Sequence, residues 1–188
     1  MSEERSIVWR RLDLPGHEYA RVALDETGVN IDGTAIFVYE TQFCRLDYAI
    51  RCDAHWRTES ATVAGFVGKQ KIAIEISTDA ENVWKLNGER VSEVDGSIDI
   101  DLNFSPLTNA LPIRRLNLTV GERATVRAAW LRFPSFRLEP LEQVYERTSP
   151  MIYRYESAGG SFTSEIETDD FGLAVNYLGL WEIENGKN

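Results

Sequence analysis

Apolar and polar positions alternate with a period of two along most of the chain. Ile72, Ile74 and Ile76 alternate with Lys71, Ala73 and Glu75, and Ile98, Ile100, Leu102 and Phe104 alternate with Asp99, Asp101 and Asn103. Val175, Tyr177 and Trp181 share one parity near the C-terminus. Successive side chains of a strand point to opposite faces, so this pattern predicts half-buried strands. The stretch from Cys44 to Cys52 alternates as strictly, and runs at 7–12, 19–24, 34–40, 55–67, 124–133, 151–157 and 162–168 are further candidates. About a dozen short strands are expected. Asp32-Gly33, Asn87-Gly88 and Asp95-Gly96 carry the chemistry of tight hairpin turns, and Gly159-Gly160 separates two strands near the end. Most neighbours in sequence should therefore pair antiparallel.

Helical periodicity is scarce. In the stretch Ser105 to Leu116, Ser105 is placed to cap and Pro106 to open a helix, while Pro112 is expected to break or kink anything regular. The better helix candidate is 140–147, where Leu141, Val144 and Tyr145 fall on one helical face and Pro140 opens the run. So many one-faced strands with so little helix predict an all-β fold whose sheet covers itself, as a sandwich, a closed barrel or a curled roll. A barrel or roll of many strands tends to enclose a cavity.

Length and composition narrow the function. The 188 residues, 43% hydrophobic and 27% charged, suit one soluble domain with its own core. No repeat, low-complexity tract or linker divides residues 1–188. Thirty acidic against twenty basic side chains give a net charge of −10, which repels nucleic acid and an anionic membrane face. The N-terminal stretch is charged at once and has no apolar run of signal-peptide or membrane-spanning length, so a cytoplasmic chain is expected, without integral membrane association. In that setting the sequon Asn117-Leu118-Thr119 reads as chance.

Strong catalytic signatures are absent: the sequence has no GxSxG, GxxxxGK[ST], HExxH, CxxC or GxGxxG. Cys44 and Cys52, on one strand, have Cα atoms roughly 26 Å apart at about 3.3 Å per residue, far beyond the reach of a disulfide. Both thiols are expected free and packed in the core. The two histidines suit structural places, His17 in a turn after Pro15-Gly16 and His55 beside Trp56 at a strand start. Neither a metal nor a cofactor is expected. Asp99 and Asp101, two residues apart on one strand face, have the spacing of a glycosidase carboxylate pair, but an Ile-Asp-Ile-Asp alternation also describes a solvent-facing edge. Arg114 and Arg115 either clamp a carboxylate or phosphate or pair with Asp99 and Asp101. Aromatic residues make up 11% of the chain, and several adjoin charge, as in Trp9-Arg10-Arg11, His55-Trp56-Arg57 and Tyr153-Arg154-Tyr155. Rings against a sugar face with charged groups reading hydroxyls are one use of such pairs, and a β core is the other.

The run Phe104-Ser-Pro-x-Thr-Asn-x-Leu-Pro-Ile-Arg-Arg-Leu116 resembles the signature of the family named "Putative glycolipid-binding", a bacterial domain of unknown function. Trp9-Arg10-Arg11, Gly33-Thr34, Tyr39, Asn87-Gly88, Gln143-x-Tyr145 and Tyr153-Arg-Tyr155 are similar to its pattern, so that the resemblance spans essentially the whole chain. It implies a spiral β-roll, an antiparallel sheet curled around one helix, similar in shape to bacterial lipoprotein carriers, and a glycolipid or other amphipathic ligand held inside. The chain differs from those carriers in having no export signal or lipobox in its N-terminal stretch.

The expectation is then a non-enzymatic binding protein, with inward-facing apolar side chains holding an acyl portion. The expected ligand-binding residues are Arg114, Arg115, Tyr153 and Tyr155 at a polar mouth, with Asp99, Asp101, Asn109 and Trp56. The alternatives are an enzyme acting on a sugar or sugar ester through carboxylates, and an interaction module whose interior the helix fills. A homodimer is compatible with either.

Overall fold

The computed structural model describes residues 3–184. Fifteen strands run β1 (Glu3–Arg11), β2 (Gly16–Asp25), β3 (Gly28–Tyr39), β4 (Gln42–Cys52), β5 (Thr58–Val67), β6 (Gln70–Thr78), β7 (Trp84–Leu86), β8 (Glu89–Arg90), β9 (Asp99–Leu102), β10 (Arg123–Arg132), β11 (Arg137–Ser149), β12 (Ile152–Ser157), β13 (Phe162–Thr168), β14 (Ala174–Tyr177) and β15 (Trp181–Ile183). They form one sheet in the order β8-β7-β6-β5-β4-β3-β2-β1-β15-β14-β13-β12-β11-β10-β9. β15 lies beside β1, so the first and last strands meet in the middle of the sheet. Every pair is antiparallel except β9 with β10. A parallel pair needs a crossover, and the chain between those two strands supplies one that contains the helix α1 (Ala110–Leu116).

The sheet curls without closing. Its β9 end tucks against the start of β5, where the Thr58 amide donates to the Ile98 carbonyl at 3.2 Å and the Ile100 amide donates to Thr58 Oγ1 at 3.0 Å. Phe133, just past β10, packs edge-on against Phe37 and Tyr39 of β3, with centroids 5.2 and 4.9 Å away. β9 is therefore last in the sheet order yet enclosed on both faces, which corrects the solvent-facing reading of Asp99 and Asp101. One face of the curl is mainly apolar, with Trp9, Val22, Ile31, Leu46, Ile50, Val63 and Ile76 all buried.

Four local expectations are corrected. Residues 140–147 lie within β11, not a helix. Gln143 and Tyr145 are buried on one face, and Val144 takes the other, so the period is two. Pro140 precedes Gln143, where pairing with β12 begins, which places its missing N–H outside that ladder. Asp32-Gly33 is not a turn but the middle of β3, paired with β2 and β4. The β2–β3 hairpin turns instead at Glu26-Thr27, where Asp25 Oδ1 accepts from the amides of Thr27 and Gly28. Pro112 does not break α1, because it lies in the first turn, where amides have no intrahelical acceptor. Asn117, with φ of 44°, ends the helix in the left-handed region. The histidines exchange places: His17 is on β2, and His55 is in the exposed turn before β5. Asn87-Gly88 and Gly159-Gly160 are turns with positive φ, as expected.

Candidate functional site

The crossover from β9 to β10 passes through the inside of the curl and divides it. Its apolar side chains Leu107 and Leu111 are fully buried, and Phe104 lies edge-on to Tyr48, with centroids 6.1 Å apart. Its polar side chains reach groups on the inward face. Ser105 Oγ donates to Glu18 Oε1 at 2.6 Å, and the Tyr48 phenol donates to the same oxygen at 2.6 Å. The Tyr145 phenol donates to Asn109 Oδ1 at 2.9 Å. Glu18 has no solvent exposure, and its Oε2 has no hydrogen-bond partner among the described residues. Burial pushes its carboxyl up to about 8 against the hydroxyl donors and the Arg11 charge that oppose it, so it is largely protonated at neutral pH.

On one side of the crossover a cavity of about 370 Å³ remains open. Trp130, Tyr155, Phe162, Tyr177 and Trp181 bring five rings to its walls, and Arg11, Asp101, Asn103, Ser105 and Asn109 bring polar groups. The rings support each other: Tyr155 lies 5.1 Å from Tyr145, 6.0 Å from Phe162 and 5.9 Å from Tyr177, centroid to centroid. Arg11 lies over Phe37 and Trp181, and Asp13 accepts from its Nε and Nη2. Asp101 Oδ2 accepts from Gln143 Nε2 at 2.6 Å, and the same amide donates to the Tyr155 phenol at 3.0 Å. Burial raises the Asp101 carboxyl to about 6 against that single donor. The arrangement offers ring faces, two carboxyls, amide groups and hydroxyls around a space large enough for a small organic group.

At the other end of the curl, Arg114, Arg147, Tyr153, Thr168 and Asp169 line a second, more polar cavity of about 350 Å³. Arg114 lies against both Trp56 and Phe171, its Cζ 5.1 and 4.8 Å from the ring centroids.

The expected site residues thus separate into three groups. Asp101, Asn109 and Tyr155 line the aromatic cavity. Arg114 and Tyr153 line the second, with Trp56 behind Arg114. Asp99 and Arg115 line neither: Arg115 Nε and Nη2 bond both oxygens of the buried Asp99 carboxylate at 3.0 and 2.5 Å, which is the ion-pair alternative for that arginine. Asp99 is engaged twice by Arg115, while Asp101 faces the aromatic cavity.

Sequence reasoning missed Glu18, Tyr48, Ser105 and Gln143. One signal was present: Glu18 stands on the inward parity of β2 with Ala20 and Val22, where a charged residue needs a buried partner. The partner itself was not visible, because Ser105 is 87 residues away.

No helix among the described residues is long and apolar enough to cross a membrane. Comparison with functionally curated proteins gives no match. Among solved structures, a DUF1089 family protein from Pseudomonas aeruginosa is similar to this chain, with a TM-score of 0.76 and 30% identity over 88% of this chain and 91% of that one. The family model described as "Putative glycolipid-binding" matches residues 6–182, from β1 to β15, and so takes in the whole curled sheet, the crossover and both cavities. By that match the chain belongs to the "Putative glycolipid-binding" family.

Proposed function

We propose that the protein binds, without chemical conversion, the sugar head group of a glycolipid or similar amphiphile in the aromatic cavity. The observation that carries this reading is the set of five rings sharing one 370 Å³ space with Asp101, Asn109, Ser105 and Arg11. Ring faces take the apolar faces of a sugar, and the carboxyl, amide and hydroxyl groups take its hydroxyls. The family description supports an amphipathic ligand. The interior apolar side chains are less suited to an acyl chain than the sequence suggested, because Leu107 and Leu111 already occupy the enclosed part of the curl. The alkyl portion is better placed at the cavity rim, where Phe162 and Leu180 stand and Leu178 is exposed beside them. A cytoplasmic location remains part of this reading.

Trp130 and Trp181 supply the readout. Titration with short-chain alkyl glycosides and with the matching free sugars should give a saturable change in tryptophan fluorescence. The glycosides should bind more tightly than the sugars. Asp101→Asn and Tyr177→Ala should each weaken binding about tenfold or more, at the level of a lost polar or stacking contact. If no glycoside or sugar gives a saturable change, the reading fails.

A further inference from the structure

The second cavity is lined by two arginines and two carboxylates, and the arginines pair with neither. Neither Arg114 nor Arg147 forms an ion pair with any described residue. The Arg114 side chain makes no hydrogen bond with any described residue either; Trp56 and Phe171, which meet edge to face with centroids 5.9 Å apart, both lie against its guanidinium. Arg147 donates Nη1 and Nη2 to the carbonyls of Leu118 and Pro150, both at 2.6 Å, and its Nε is buried without a partner. The Tyr153 ring lies under Arg147 at 5.6 Å, and both guanidinium charges act on its phenol, which has no hydrogen-bond partner of its own.

The surrounding backbone is built to hold Arg114 in place. Trp56 has a φ of 65°, a left-handed conformation that a bulky aromatic residue rarely adopts. The turn that imposes it is fixed by Asp53, whose Oδ1 accepts from the amides of His55 and Arg57 at 2.8 and 2.9 Å. On the other side Gly172, with φ of 92°, comes so close that a Cβ there would lie 3.1 Å from Arg114 Cδ. Two carboxylates also line the cavity. Asp169 Oδ1 already accepts from the amides of Phe171 and Leu173, and Asp170 is exposed at the rim.

We infer that this second cavity is a phosphate-binding site, in which Arg114 and the Tyr153 hydroxyl donate to the oxygens of one phosphate group and the Arg147 guanidinium adds its charge. Donors arriving from a helix and a strand beside a second guanidinium charge suit a tetrahedral acceptor with several oxygens better than a planar carboxylate met by one guanidinium fork. The site is separate from the aromatic cavity and does not depend on the sugar-binding reading.

The test titrates the full chain with inorganic phosphate and with octyl phosphate at constant ionic strength, followed by calorimetry. Saturable binding of either supports the site: binding of both assigns it to free phosphate, and binding of octyl phosphate alone assigns it to an amphiphile's head group. Arg114→Met, which keeps an aliphatic side chain against Trp56 and Phe171, should weaken binding tenfold or more. Tyr153→Phe removes only the hydroxyl and should weaken it several-fold, which keeps the test decisive if Arg114→Met does not fold. Asp170→Asn should tighten binding by removing a like charge at the rim. No saturable binding of either probe, or unchanged binding by the folded variants at Arg114 and Tyr153, overturns the inference. Alkyl glycoside binding should be unaffected by these variants, so that the two cavities fail or succeed independently.

Discussion

Arg115 grips both carboxylate oxygens of Asp99 from the last turn of α1, and only 1% of the Asp99 side chain and 16% of that of Arg115 is exposed. The pair ties the crossover to the enclosed strand β9. Desolvation raises the Asp99 carboxyl, and the Arg115 guanidinium opposes that rise. Removing one partner leaves the other charge buried, whereas removing both does not. Arg115→Ala should therefore cost about 3–5 kcal/mol of stability. In urea denaturation, the double variant Asp99→Leu with Arg115→Met should recover most of that loss. A single variant as stable as the parent would contradict a structural role for the pair.

Glu18 predicts a pH dependence of opposite sign to that of an ordinary ion-paired carboxylate. Its carboxyl is raised from 4.5 to about 8 in the folded state, so the folded chain binds the extra proton between those values. Its stabilising contribution is fully present below the unfolded value of 4.5 and is lost as pH rises through about 8. Each tenfold gain in proton affinity is worth about 1.4 kcal/mol, so the whole change is on the order of 5 kcal/mol. Glu18→Gln keeps an oxygen for Tyr48 and Ser105 but does not titrate. The stability difference between parent and variant, measured by denaturation from about pH 4 to about pH 9, should move in favour of the variant as pH rises. A flat difference would show that Glu18 is not buried as described.

Gly33 makes room for the Tyr48 ring. A Cβ at Gly33 would stand 2.4 Å from both Cζ and the hydroxyl of Tyr48, which lies across from it on β4. Gly33→Ala must push aside a ring whose hydroxyl bonds Glu18 at 2.6 Å. Overpacking of this kind typically costs about 1–3 kcal/mol. Thermal denaturation should register that loss, and an unchanged melting temperature would mean that the ring can move freely.

Cys44 and Cys52 lie at the two ends of the inward face of β4, with 2% and 0% exposure, and both are free. Burial pushes the Cys52 thiol up to about 12 and raises that of Cys44 as well. Neither should react with a thiol reagent while the chain is folded, and both should react after unfolding without reductant. Rapid labelling of the native protein would place one of them at the surface.

Period-two alternation is enough to give the strands and the all-β class, because the faces of a strand differ in burial and side chains must alternate to match. The single strand from Cys44 to Cys52 and the glycine turns at Asn87-Gly88 and Gly159-Gly160 are legible for the same local reason. Residues 140–147 are not, since Leu141, Val144 and Tyr145 fit a helical face as well as a strand, and the choice is made by pairing with β10 and β12. Asp32-Gly33 has the composition of a turn, but its glycine answers to a ring on the neighbouring strand. Asp99, Asp101, Asn109, Arg114, Arg115, Tyr153 and Tyr155 form one group on sequence grounds, and tertiary structure distributes them between an ion pair and two cavities. That division depends on where the crossover enters the curl, and the contacts that fix its path, Ser105 to Glu18, Asn109 to Tyr145 and Arg115 to Asp99, join residues 87, 36 and 16 positions apart. Local pattern fixes which face of a strand is buried; which groups meet across the interior is set by how the sheet curls, and no short-range signal carries it.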